Sequence, residues 1–224
     1  MSFANLNIGK EEGYVWVTSF DDQSLKEFYN KFEELESNPN VGVIPVIISS
    51  YGGEVYSMIG MRDLIKSSKK AVMTIVIGKA MSCGAVLAAS GTRGMRFISP
   101  ESEFMIHEAS THVHGKTSDI KNEANSIDML NEKMLGFLAK DSGNSVAKLK
   151  KHMNNKNNAD WYLTAEEAVK IGFVDEIAIP RLFMEPSRIG IMIAKVDNKK
   201  APKRGAKKSS KKSKKIVAKK KRKR

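Results

Sequence analysis

The stretch Ala71 to Gly91 constrains the fold most. An apolar run, Ala71 to Ile77, has the composition of a buried strand. Gly78-Lys79-Ala80-Met81 follows, then Ser82, then the small-residue run Gly84-Ala85-Val86-Leu87-Ala88-Ala89. This order predicts strand, tight turn and buried helix, with one hydroxyl at the turn. Two readings of Ser82 stand on this stretch alone. It is an N-cap satisfying a helix start, or a hydroxyl held in the positive field of that start for chemistry.

The same alternation runs along the chain. Tyr14 to Thr18 reads as a strand, and Leu25, Phe28, Tyr29, Phe32 and Leu35 give Gln23 to Ser37 a helical period. Val41 to Ser49 is a strand in which Pro45 argues for edge or irregular pairing. Glu54 to Ser67 is a helix. Arg96-Phe97-Ile98 and Phe104-Met105-Ile106 are short strands, and a long helix runs from Ser118 or Asp119 to about Ala139. Its apolar stripe is Ile120, Ala124, Ile127, Leu130, Met134 and Leu138. A shorter helix spans Val146 to Met153, a loop Asn154 to Asn158, a capped helix opens at Thr164, and Phe173 to Ile177 is the last core strand. Strands alternating with helices predict βαβ units and a largely parallel sheet.

Charge divides the chain. Of 38 Lys and Arg, 17 lie in residues 195–224 with a single acid, Asp197. That segment is +16 and the preceding 194 residues are about −3. The expected organisation is a lead-in at 1–13, one domain at 14–194, and a disordered basic tail at 195–224. The tail residues expected to meet a polyanion are Lys207, Lys208, Lys211, Lys212, Lys214, Lys215, Lys219, Lys220, Lys221, Arg222, Lys223 and Arg224. A solubilising extension is the other reading. No aromatic is interleaved for base stacking. The single cysteine, Cys83, excludes an intrachain disulfide and a cysteine-based zinc site. No signal-peptide pattern opens the chain and no apolar run is long enough for a membrane span, so a cytoplasmic protein is expected.

Three further features bear on Ser82. Gly52-Gly53 sits at a strand-to-helix turn, where bare backbone N–H groups either make a turn only or stabilise an oxyanion. His107 ends an apolar strand, as a satisfied strand-end residue or as a general base. Asp160 precedes Trp161-Tyr162, as a solvated acid or as the carboxylate that orients a histidine. His112 and His114 fall in a polar stretch and read as exposed.

Four segments, in this order, resemble the proteolytic subunit of the Clp protease. They are Ser50-Tyr51-Gly52-Gly53-Glu54-Val55, Ile77 to Ala85, Gly94 to Pro100 and Phe104-Met105-Ile106-His107-Glu108. The family carries Pro-Gly-Gly, Gly-x-Ala-x-Ser-x-Gly-Ala, Gly-x-Arg-x-x-x-Pro and Met-Ile-His. Asp160 to Ala165, with Glu167-Ala168 and Gly172 to Asp175, is similar to a fifth family stretch. The resemblance covers about residues 14–180. It implies the α/β fold of the Clp and crotonase type, a spiral of ββα units with a protruding helix. It implies a serine endopeptidase with Ser82 as nucleophile, His107 as base, Asp160 orienting His107, and the Gly53 and Cys83 N–H groups as oxyanion hole. No cofactor serves that chemistry. Implied partners are polypeptide substrates, further copies in stacked heptameric rings, and an ATP-driven AAA+ unfoldase.

Four departures are visible: Ser110 to Thr117 is richer in His and Thr than the family's Gly-rich substrate-side strand, Tyr51 stands where the family has proline, the N-terminus is short, and the basic tail has no counterpart. Short N-terminus and tail together suit an unfoldase-independent assembly protease of a phage or virus, with nucleic acid as partner. A thioester-binding fold relative and a non-catalytic scaffold are the other classes. A joint Ser82, His107 and Asp160 set counts against both.

Overall fold

The computed structural model describes residues 13–154, 160–185 and 188–195. Residues 1–12 of the lead-in, most of the Asn154–Asn158 loop and every tail residue named above lie outside the described residues.

The chain begins with β1 (Val15–Val17), and α1 (Asp22–Ser37) follows. Asp21 caps α1 reciprocally with Ser24. Next come β2 (Val43–Ser50), α2 (Val55–Ser67), β3 (Ala71–Met81) and α3 (Cys83–Ala89). After these are β4 (Arg96–Ile98), β5 (Glu103–Ile106), α4 (Thr117–Ser142) and α5 (Val146–Asn154). The described chain closes with β6 (Trp161–Leu163), α6 (Ala165–Ile171), β7 (Glu176–Glu185) and β8 (Arg188–Lys195).

Strands β1-β2-β3-β4-β7 are parallel neighbours, and β8 returns antiparallel on β7. The upper part of β3 carries β5 instead of β4, and β6 pairs antiparallel with β5. The α/β class expected from the alternation is the observed one. Both faces of the sheet are covered, which is why β2 and β3 read as unbroken apolar runs. Ile44, Val46, Ile48, Val72 and Val76 face the helices with Phe28, Phe32, Met58, Met61 and Leu138, while Ile47, Met73, Ile75 and Phe97 form a smaller cluster on the other face.

Four sequence expectations are corrected. Strand β2 is internal, not an edge, although Pro45 pairs with β3 alone because β1 starts opposite Val46. Strand β3 does not stop at Ile77 but runs to Met81 through a bulge in which Ile77 to Lys79 face the single residue Ser49. The last core strand begins at Glu176 and is followed by β8, while Phe173 and Val174 are buried in the approach to it. In α4 only Met134, Leu135, Leu138 and Ala139 are buried, and Ile120 stands exposed. The N-terminal half of that helix projects beyond the sheet, so its stripe meets no core within the described residues.

The Gly94 to Pro100 stretch has a structural task. Asp175 accepts from the Gly94 and Arg96 N–H groups and from Arg96 Nε (2.7, 3.1 and 2.8 Å), joining β4 to the start of β7. Arg96 is buried, and its guanidinium also reaches Asp141 O at 2.9 Å. Burial of the Asp175 carboxylate is outweighed by these donors, which hold its pKa below the usual 3.8. A lowered folded pKa means the contribution is complete above the unfolded pKa and is lost as pH falls through the folded one. Asp175→Asn is therefore expected to cost about 2–3 kcal/mol at neutral pH. Acid unfolding of this variant should show less pH dependence below about pH 4 than the parent chain, checked by chemical denaturation at a series of pH values.

Candidate active site

Ser82 lies between the end of β3 and the start of α3. Its backbone has φ 53° and ψ −119°, the only positive φ on a non-glycine among the described residues. Such a conformation costs about 1–3 kcal/mol and persists only where its surroundings impose it. They do so here on two sides. The Ser82 N–H donates to Met105 O on β5 at 2.8 Å, and the uniformly buried small residues of α3 seat that helix against β2 and β3. Gly84 belongs to this fit, since a Cβ there would stand 3.3 Å from Ser50 O. The hydroxyl makes no capping hydrogen bond. The N-cap reading of Ser82 fails on that point, and its Oγ is left for other work.

The Gly52-Gly53 turn passes directly against this serine. A Cβ on Gly52 would fall 2.7 Å from Ser82 Cβ, and one on Gly53 would fall 2.4 Å from Phe20 O. The turn is tied down without proline. Ser50 Oγ, fully buried, accepts the Gly52 N–H at 3.0 Å, and Phe20 O accepts the Glu54 N–H at 2.8 Å. Tyr51 itself is exposed, with Lys79 Nζ 4.2 Å from its ring centre across the β2–β3 bulge. The Gly53 and Cys83 N–H groups have no acceptor among the described residues. Free N–H groups beside a serine at a helix start suit a developing negative charge.

Cys83 is the residue most easily mistaken for the nucleophile. Its side chain is buried and its thiol donates to Gly53 O at 3.2 Å. Burial pushes the thiol pKa up to about 11, so it is a neutral thiol at physiological pH. The contact ties the start of α3 to the Gly53 carbonyl.

His107 follows the last residue of β5, and Asp160 precedes the first residue of β6. Because β5 and β6 are antiparallel with Ile106 opposite Trp161, the next position out brings His107 and Asp160 face to face. His107 Nδ1 and Asp160 Oδ1 are 3.5 Å apart, longer than a direct hydrogen bond. Both side chains are partly exposed. Trp161 anchors this corner, stacked on His152 of α5 and edge-on to Phe173.

Ser82 and His107 line one cleft, whose walls include Val86, Ile106, Leu135, Leu138 and Met153. No hydrogen bond joins Ser82 Oγ to the imidazole among the described residues. Catalytic contacts of this kind are often loose before substrate arrives. The structure thus brings Ser82, His107, Asp160, Gly53 and Cys83 to the C-terminal ends of the parallel strands, where open α/β sheets bind ligands. Strand β6 and the ties from Ser50 and Phe20 were not expected from the sequence. Only β6 had a local signal, the alternation in Trp161-Tyr162-Leu163, which is buried, exposed, buried.

The fold is α/β, with a strained serine between a strand end and a helix start, beside the Gly52-Gly53 turn. A comparison with protein-family models matches Clp protease over residues 7–181. The chain belongs to the Clp protease family, and that membership supports a peptidase. Among the described residues no helix is long and apolar enough to cross a membrane.

Proposed function

We propose that the chain is a serine endopeptidase acting through Ser82, His107 and Asp160. The observation that carries this reading is the strained backbone of Ser82, whose uncapped hydroxyl shares a cleft with a histidine facing a carboxylate.

The chemistry follows from the positions. His107 Nε2 takes the proton of Ser82 Oγ as the oxygen attacks the carbonyl carbon of the substrate. Asp160 stabilises the Nδ1–H tautomer and the imidazolium that forms. The tetrahedral oxyanion accepts from the Gly53 and Cys83 N–H groups. His107 then protonates the departing amine, leaving an acyl group on Ser82. Water, deprotonated by the same imidazole, releases the second product. His107 passes the proton taken from that water to Ser82 Oγ as the acyl–oxygen bond breaks, which restores the starting state, and no cofactor enters the sequence.

The cleft walls are mainly apolar, with Glu108 and Asn131 as the polar residues beside Ser82 and His107, so the side chain preceding the scissile bond is expected to be apolar. Fluorogenic peptides with leucine or methionine there should be hydrolysed about 10-fold or more faster than peptides with aspartate or lysine. Inhibition by a serine-directed phosphonate should accompany that activity. Hydrolysis that ignores both the phosphonate and the apolar side chain would exclude the proposal.

Assembly of the chain into rings enclosing the site, and delivery of substrate by an ATP-driven unfoldase, are the family-based parts of this proposal. Native mass spectrometry tests the ring. A single-chain mass at working concentration would remove the chamber from the account. The charge of the 195–224 segment supports polyanion binding beside the peptidase activity. Salt-dependent DNA binding lost on deletion of 196–224 is the expected result, and binding unchanged by that deletion would refute it.

A further inference from the structure

His107 is fastened on one side only by its strand. Upstream, Ile106 pairs with Trp161. Downstream the chain leaves the sheet, and residues 107–116 belong to no helix or strand. The contact to Asp160 is 3.5 Å, too long to lock the ring. The first hydrogen bond after His107 comes from another element. Asn131 Oδ1, on α4, accepts the Ala109 N–H at 2.7 Å. A second, weaker fastening is exposed, from Thr111 Oγ1 to Glu123 Oε1 at 2.8 Å.

Asn131 has a firm base. It stands three and four residues before Met134 and Leu135, on the same face of α4, and those two with Leu138 are buried. Further along, Asp141 is held by Arg62 at 2.9 Å and Lys66 at 2.8 Å. Helix α4 is therefore fixed without Asn131, which is free to serve the chain it grips. Ser82, His107, Glu108 and Asn131 line the same cleft.

We propose that Asn131 is a positioning residue for His107, fixing the backbone just beyond the imidazole so that the ring stays aimed at Ser82. This inference rests on His107 being the general base. A purely structural staple would show in stability. A positioning role shows in turnover, because small displacements of a catalytic base are costly.

The test compares the full chain with Asn131→Leu, similar in size without an acceptor, and Asn131→Asp, which keeps one. Asn131→Leu should lower kcat by about 10- to 100-fold with KM changed less than about twofold. Asn131→Asp should stay within about threefold of the parent, because its carboxylate still accepts the Ala109 N–H. Hydrogen exchange in the peptide containing Ala109 should quicken in Asn131→Leu and not in Asn131→Asp, which needs no catalysis to observe. A kcat within about twofold of the parent in Asn131→Leu would overturn the proposal, as would equal loss in both variants. If exchange responds as expected but the parent chain shows no Ser82-dependent hydrolysis, the hydrogen bond stands. The reading of His107 as base fails, and the positioning role fails with it.

Discussion

Replacing Ser82 by alanine is expected to lower kcat/KM for peptide hydrolysis by about three to six orders of magnitude. The loss should come without unfolding, since the hydroxyl makes no capping bond and the residue is held through its backbone N–H on Met105 O. The replacement by glycine separates the two properties of this position. At φ 53° a side chain is strained and glycine is not. Ser82→Gly should therefore be as inactive as Ser82→Ala and more stable than it by about 1 kcal/mol. Denaturation curves of the two variants measure that difference directly. A serine that served only as a helix cap would give the opposite pattern: hydrolysis retained, and stability lost in both variants.

The second large effect is expected at Gly53. Alanine there would put a methyl 2.4 Å from Phe20 O at a backbone angle of φ 151°. The turn must move, and the Gly53 N–H moves with it. Loss of one oxyanion donor typically costs about 10²- to 10³-fold in kcat. Displacement of this turn, packed against Phe20 and Ser82, adds a stability loss of about 1–3 kcal/mol. Steady-state kinetics and urea denaturation of Gly53→Ala read the two effects. Full activity in a folded variant would show that this N–H lies outside the reaction. Gly52→Ala should also be damaging for a different reason, since its methyl would strike Ser82 itself at 2.7 Å.

How much of this could be read from residues alone depended on whether the governing forces were local. The βαβ alternation was legible because both sheet faces are buried, which writes β2 and β3 as apolar runs and the helices as stripes. Ser82 and Gly52-Gly53 were legible as an unusual chemistry of small residues between such runs. The opposition of His107 and Asp160 was not, because it depends on an antiparallel register between β5 and β6, strands separated by two helices. The resemblance supplied their pairing, and the geometry supplied its cause.

Elsewhere tertiary context overrode a sound local rule. Pro45 argues for an edge, yet β2 is internal, and the proline is accommodated because the short β1 starts only opposite Val46, one residue beyond it. The α4 stripe is helical throughout but buried only from Met134 onward, since burial depends on where the sheet stops. The ties that replace the family's proline at Tyr51, from Ser50 and Phe20, have no sequence signature. A serine and a phenylalanine acquire those roles only when the turn is folded against them.

The most direct test of the central claim is labelling of the purified chain with a fluorophosphonate. The modified peptide is identified by mass spectrometry, beside the variants Ser82→Ala, Cys83→Ala and His107→Ala. Modification at Ser82 is the expected result. It should be absent in Ser82→Ala, strongly slowed in His107→Ala, and retained in Cys83→Ala because the buried thiol takes no part. Modification at any other residue, or none in folded protein, would contradict the assignment of Ser82 as the nucleophile.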